Sequence, residues 1–359
     1  MAKSLKSVKN VRTFSEVATV QKPQTRMLLK AAPSVPKDLG PFKNLIGVWK
    51  GTGKGWNMIA LPFQKSPAPP LGFKYRLLMN QYDEELQFTF IDNNVPNRGL
   101  SRPGEPEFDQ FVVTLDYQQK ISQVKAEDRP NSGLAGPSGA PIHHEPGLWL
   151  YQKNRCTKDD VFDPKGAKLE SLDIARLSCV PHGSAVMAMG NSATHKGMPD
   201  IPPLSGMPSG RFEDLASPSY DYKSDPYLKP FKHYINNPFK GNISTPGFPG
   251  FSPADMNAIL RFENKGVKIL RTTSLTVDTE RNNGGVRNMP FVDREADAVS
   301  MKSTFWIQEL VEKDKNGKHK LRLQYSQIVN LHFFAPREDG SPGRAVWPHV
   351  SINTLEKEL

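Results

Sequence analysis

The chain is poor in cysteine, in long apolar runs and, over its first 37 residues, in acid. Two cysteines, Cys156 and Cys179, are too few for a disulfide framework and too far apart for a CxxC metal or redox motif, so reduced thiols in a cytosolic setting are expected. No stretch reaches the ~18 uninterrupted apolar residues of a membrane span. No apolar block follows the basic start as in a secretory signal. Together these absences predict a soluble, unsecreted, cytoplasmic protein, with an organelle-directed one as the alternative. Catalytic signatures are missing too. There is no GxSxG elbow, and Lys54 in Gly53-Lys54-Gly55-Trp56 is followed by no helix that would make the glycines a phosphate loop. No HxxxH, HxH or Cys/His cluster has zinc spacing, and no pair of acidic residues is placed by a local motif.

Proline is abundant instead, 32 of 359 residues, roughly 9% against a usual ~5%. Each proline fixes φ and removes a donor, so long helices are not expected. The net charge of +10 is uneven. Residues 1–37 carry Lys3, Lys6, Lys9, Arg12, Lys22, Arg26, Lys30 and Lys37 against Glu16 alone, leaving the rest nearly neutral. A nucleic-acid surface on the body is therefore not expected. The leader reads as a solvated tail, a phosphate- or lipid-touching arm, or a transit peptide.

From residue 40 onward the pattern is β. Phe42 to Ile59 alternates apolar with small or polar residues. Tyr75 to Met79 and Leu86 to Ile91 read as two strands joined by a turn at Asp83-Glu84-Glu85. Further strands fit Gln110 to Val124, Gly147 to Gln152, Ser171 to Leu177, Ser184 to Met189 and Val267 to Val277. Ser303 to Val311 and Lys320 to Phe333 form a hairpin across Asn316-Gly317, and a last strand runs from His349 to Leu355. Between Lys196 and Asp255 the period is lost. Eleven of those 60 positions are proline, and Tyr220, Tyr222, Tyr227, Phe231, Tyr234, Phe239, Phe248 and Phe251 are scattered among them. Such a segment is expected to be an ordered lid or wrap, ending in one short helix with Ser252 at its cap, Pro253 and Asp255 in its first turn and Gly266 after it. The expectation is an all-β chain: an antiparallel up-and-down barrel of about ten strands with a central ligand cavity. Its parts are a basic segment (1–39), the first part of the barrel (40–195), a Pro/aromatic-rich insertion (196–264) and the rest of the barrel (265–359).

Gly47-Val48-Trp49-Lys50-Gly51-Thr52-Gly53 resembles the GxWxGxG signature of the nitrobindin family, haem-binding barrels related in shape to fatty-acid-binding proteins. His144-Glu145-Pro146-Gly147-Leu148-Trp149 is similar to that family's mid-barrel strand, Cys179-Val180-Pro181-His182-Gly183 to its Pro-x-Gly turn, and Leu323-Gln324-Tyr325-Ser326 to the strand before its ligand segment. The likeness covers roughly residues 40–195 and 265–357. It implies haem b, with His349, after Trp347-Pro348, as the iron ligand at the start of the last strand. It also implies a small-molecule ligand at the iron (nitric oxide, peroxynitrite or peroxide) and peroxynitrite isomerase or weak peroxidase-like activity. The chain departs from the family in its longer Arg337 to Trp347 lead-in. Gly47, Trp49, Gly51, Gly53, His144, Trp149 and His332 are the further candidates for the cofactor site; no catalytic residue is assigned. On the residues alone, the glycines read as aids to strand coiling and Trp49 as a plug in the barrel bottom. His143 and His144 either belong to the loop before the strand or, adjacent on the strand, send one ring to the pocket and one to the solvent. The alternative function is a haem-free carrier of a fatty acid or other hydrophobic molecule, with the insertion over the barrel mouth.

Overall fold

A computed structural model describes residues 39–63, 74–98, 109–152, 172–180, 183–211, 225–281, 284–290, 296–335, 337 and 343–358. The basic segment up to Asp38, Cys156, Pro181, His182, Tyr220 and Tyr222 lie outside these. The described elements are β1 (Gly47–Pro62), β2 (Tyr75–Arg98), β3 (Asp109–Arg129), β4 (Pro141–Gln152), β5 (Ile174–Val180), β6 (Ser184–Lys196), β7 (Ser209–Arg211), α1 (Lys229–Asn236), α2 (Ala258–Glu263), β8 (Ile269–Asp278), β9 (Gly285–Asn288), β10 (Asp297–Lys313), β11 (His319–His332) and β12 (Arg344–Lys357). Ten strands pair antiparallel in the order β1-β2-β3-β4-β5-β6-β8-β10-β11-β12, and β12 returns to β1. The expected up-and-down barrel is therefore present and closed, which leaves its main strands no free edge. The short β7 and β9 lie off the ring, on β12 and β6. No described helix is long and apolar enough to cross a membrane.

Alternation along each strand divides inside from outside. At one end Trp49, Leu86, Leu115, Trp149, Phe305, Leu323 and Leu355 fill the interior and are buried. This end is solid. The glycines of β1 belong to the packing of the wall. A Cβ at Gly55 would lie 2.0 Å from the Tyr82 ring, and one at Gly51 would lie 2.8 Å from the Asn353 amide, so these strands approach as closely as they do because side chains are absent there.

The outer face of β1, β2 and β12 is apolar as well. Trp56 and Met58, Leu77 and Met79, Val350 and Ile352 point away from the interior and are buried all the same. The insertion covers them. Leu228, Phe231 and Tyr234 from around α1, with Phe239, Phe248, Phe251, Met256 and Leu260, join them in a second core, and Trp56 meets the rings of Phe239, Phe248 and Phe251 at 5.4–6.0 Å. Outward polar groups are satisfied by the same segment: the Gln324 amide donates to the Leu260 carbonyl and Arg322 to that of Glu263. The insertion leaves β6 at Lys196, beyond the solid end, and packs this second core on the outer wall. The aromatic content does signal an ordered wrap, and among the described residues of the insertion none lines the barrel cavity.

Three sequence expectations need correction. Tyr75 to Arg98 is one strand; Asp83-Glu84-Glu85 lies within it, pairing with Gly51 on one side and with Lys120 to Ser122 on the other. The described residues of the insertion hold two α-helices. The expected one begins later, at Ala258, with the Ser252 hydroxyl accepting from the Ala254 amide before it. The other, α1, follows a turn capped by Asp225, whose carboxylate accepts from the Tyr227 amide. Finally, β12 begins at Arg344, so His349 sits inside the strand. Pro348 is tolerated there because the β1–β12 ladder extends only as far as Met58 and Val350, leaving the proline without a missing partner on that side.

Candidate functional site in the open half of the barrel

Above the packed end the interior is hollow. The cavity holds about 510 Å³, within the range of small-molecule sites. Its walls are largely aliphatic, with Ile59, Leu78, Ile121, Val186, Met301 and Val329 among them, and Ala135, Gly136 and Ala140 of the β3–β4 loop lie at one edge. A wider groove of about 730 Å³ crosses the outer face of β4–β6. It is more open to solvent than the barrel cavity, so the cavity is the better candidate for a ligand site.

A polar floor separates cavity from core. Glu84, on β2, is buried and accepts hydrogen bonds from the Gln119 amide (2.7 Å), the Tyr325 hydroxyl (2.6 Å) and the Asn353 amide (2.8 Å). Burial pushes its carboxyl above the ordinary value, and these three donors oppose that shift without cancelling it. The Tyr82 hydroxyl meets that of Tyr325 at 2.8 Å, and burial holds both phenols well above their usual range. Across the floor Glu145 pairs with Arg176 at 2.7 Å, both about 98–99% buried. Tyr117 also donates to Glu145, and Arg176 reaches the Tyr117 hydroxyl, Gln327 and Ser303. Burial alone would raise the Glu145 carboxyl, but the Arg176 charge and the hydrogen bonds from His143 and Tyr117 outweigh it and hold the group well below the usual carboxylate range.

Two imidazoles enter the cavity. His349 comes from β12, where the Asn57 amide reaches its Nε2 and also donates to the Ser351 hydroxyl at 2.9 Å. His143 comes from β4, with its Nε2 3.2 Å from the Glu145 carboxylate. β4 and β12 stand four places apart around the ten-strand ring, so the rings project from different walls.

The other candidates lie elsewhere. His144 is exposed on the outer face, beside a surface groove with Lys50 and Glu85; the cavity histidine of the pair is His143. Trp49 and Trp149 are in the packed end, Trp49 donating to the Leu45 carbonyl and lying under the Lys357 ammonium at 5.2 Å. Gly47, Gly51 and Gly53 lie along β1 towards that end, and the Gly53 amide donates to Asp83 at 2.6 Å. His332, the last residue of β11, alternates with the cavity-lining Val329 and Leu331 and does not line the space. Sequence reading passed over Asn57, Asn80, Glu84, Glu145 and Arg176. One signal was available: polar residues at inward-facing positions of a strand that is otherwise apolar on that face.

No family model and no curated protein matches the chain. Among solved structures, one described as "Crystal Structure of Rv2717c from M. tuberculosis" is similar at 13% identity and a TM-score of 0.35, covering 92% of this chain and 100% of that one. The protein is a closed β-barrel with one hollow half. Its strand pairing closes the ring, and the cavity occupies the half above the floor.

Proposed function

We propose that the protein binds a small molecule in the hollow half of the barrel, and that the molecule is haem b held by His349. One observation carries this reading: two imidazoles project from different walls into a partly enclosed, mainly aliphatic cavity above a hydrogen-bonded floor. A single histidine on an apolar wall is a sufficient protein donor for haem iron, and His349 is the residue that would supply it here, with the aliphatic wall around it as support for the reading. When bound, haem supplies an iron with an open position for a small ligand such as nitric oxide, peroxynitrite or peroxide.

The chain's own contribution is positional. The floor excludes water from below, and the aliphatic walls keep the local dielectric low, strengthening each polar contact inside. Glu145, fixed by Arg176 and Tyr117, orients the His143 ring. That ring can hold or release a proton at a ligand oxygen, which supports weak peroxidase-like chemistry over plain storage.

The second reading is a haem-free carrier of a fatty acid or other hydrophobic molecule. The hydrogen bond that His349 Nε2 already shares with Asn57 favours it, because ligation at that nitrogen requires the bond to be surrendered. Titration with hemin separates the two. Haem binding predicts a Soret band that is lost in His349→Ala and kept in His144→Ala and His332→Ala. Absence of a band in the unsubstituted protein removes the haem reading and leaves the carrier.

A further inference from the structure

The packed end of the barrel carries a surface that a ligand in the cavity does not use. There the end of β6, the start of β8 and the end of β10 are tied together through their backbones. The Gly197 amide donates to the Leu270 carbonyl at 3.0 Å and the Val311 amide to that of Lys268 at 2.9 Å, while Arg271 pairs with Lys196 on one side and with Glu309 on the other. Three aliphatic side chains at these adjoining strand ends stand in solvent: Met198 is 51% exposed, Leu270 44% and Val311 47%. A single exposed apolar residue is ordinary, but three on neighbouring strand ends make a patch.

The same end is cationic. Lys196, Lys268, Lys313, Lys315 and Lys318 are exposed, and none has a carboxylate partner among the described residues. Lys265, over the Phe262 ring at 5.2 Å, adds a sixth ammonium. Of the acids here, Glu309 is matched by Arg271 and Glu312 by Lys320. The Asp314 carboxylate accepts from the Asn316 and Lys318 amides in the β10–β11 turn, and Asp200 stands two residues past Met198. Two carboxylates therefore face six lysines, so the patch has an excess of positive charge around its aliphatic groups. A lipid surface with anionic headgroups complements both features: aliphatic side chains enter the boundary between headgroups and acyl chains, and ammonium groups meet the lipid phosphates and carboxylates. A nucleic acid would engage the lysines alone, because its bases stack on aromatic rings, and no exposed aromatic ring lies at this end among the described residues.

We propose that the packed end of the barrel docks on an anionic lipid surface, with Met198, Leu270 and Val311 in the headgroup layer and the surrounding lysines on the headgroups. The cavity occupies the other half of the barrel, so docking leaves it clear of the lipid, and the proposal is independent of what the cavity holds.

The test is flotation of the full chain with phosphatidylcholine vesicles, with and without phosphatidylserine, beside binding of a fluorescent DNA duplex. Vesicles with phosphatidylserine should be bound, those without it should not, and binding should fall as salt is raised. Met198→Ser combined with Leu270→Ser and Val311→Ser should weaken vesicle binding at least about fivefold, and Lys268→Gln combined with Lys313→Gln, Lys315→Gln and Lys318→Gln at least about tenfold. All seven side chains are exposed, and circular dichroism of both variants establishes that the barrel is intact. Residues 1–37 carry their own excess of lysine and arginine, so Lys3→Gln combined with Lys6→Gln, Lys9→Gln and Arg12→Gln is measured alongside. Vesicle binding that both barrel variants keep in full overturns the proposal, whether or not the third variant loses it. No binding to either vesicle overturns it as well. Loss in the lysine variant alone, with the duplex bound more tightly than the vesicles, overturns it in favour of a nucleic acid.

Discussion

Arg176 and Lys357 show how single side chains set the conditions under which the barrel is stable. Arg176 is buried beneath the floor beside Glu145, so Arg176→Met strands a carboxylate in a dry interior and should cost about 3–5 kcal/mol in a urea titration. Adding Glu145→Leu should return part of that loss, since it removes the charge left without its partner. Lys357 donates to the Asn44 carbonyl at 2.8 Å and lies over Trp49, and burial pushes its pKa down from 10.5 to about 8. Between those two values the unfolded chain binds more protons than the folded one at this site, so its contribution makes stability rise with pH from about 8 towards 10.5. Thermal midpoints across that window should climb less steeply in Lys357→Met than in the unsubstituted protein. An identical slope in both would place the titration elsewhere. His349 was a candidate through the family likeness alone, and of the adjacent pair the sequence singled out His144, whereas His143 lines the cavity. The partners Asn57 and Glu145 were not legible, because only the fold brings β1 to β12 and aligns Glu145 with Arg176.

At the scale of elements, what sequence pattern revealed and what it hid have one cause. The β10–β11 hairpin was legible from Asn316-Gly317, where Gly317 takes a φ of +75° that a side chain disfavours. β2 was misread as two strands because Asn80 and Glu84 interrupt the apolar inward series of Leu78, Leu86 and Phe88. Those interruptions are Asn80 on the cavity wall and Glu84 in the floor. The residues that obscure the strand are the ones that give the cavity its chemistry, as expected where function breaks a local rule. The wrap was visible as aromatics without period, but its seat on the outer wall depends on Trp56 and Met58 facing outward, and a bulge between Lys50 and Trp56 in the β1–β12 pairing disturbs the alternation that would have indicated this. Trp56 anchors the wrap, so Trp56→Ala should cost about 3–5 kcal/mol. It should also raise amide exchange in α1 more than in β10. Equal protection in both would show that the wrap holds without the anchor.

For the whole molecule, ring closure and the division into a solid and a hollow half follow from the order of inward side chains. Tryptophan, phenylalanine and leucine fill the end near Trp49, a hydrogen-bonded layer spans the middle, and smaller aliphatic residues line the space above. The wrap covers the outer wall, where it buries apolar surface that would otherwise promote association. The wrap therefore leaves the space above the floor open. Native mass spectrometry of the intact protein, before and after incubation with hemin, beside Val329→Trp tests most directly whether this space takes a ligand, since Val329 faces the cavity and an indole there takes up its space. The account predicts one equivalent of a non-covalently bound small molecule, either co-purified or taken up as hemin, in the unsubstituted protein and its loss in a folded Val329→Trp. Equal occupancy of the two proteins would contradict the central claim by placing the ligand outside the barrel, and an empty unsubstituted protein under both conditions would contradict it outright.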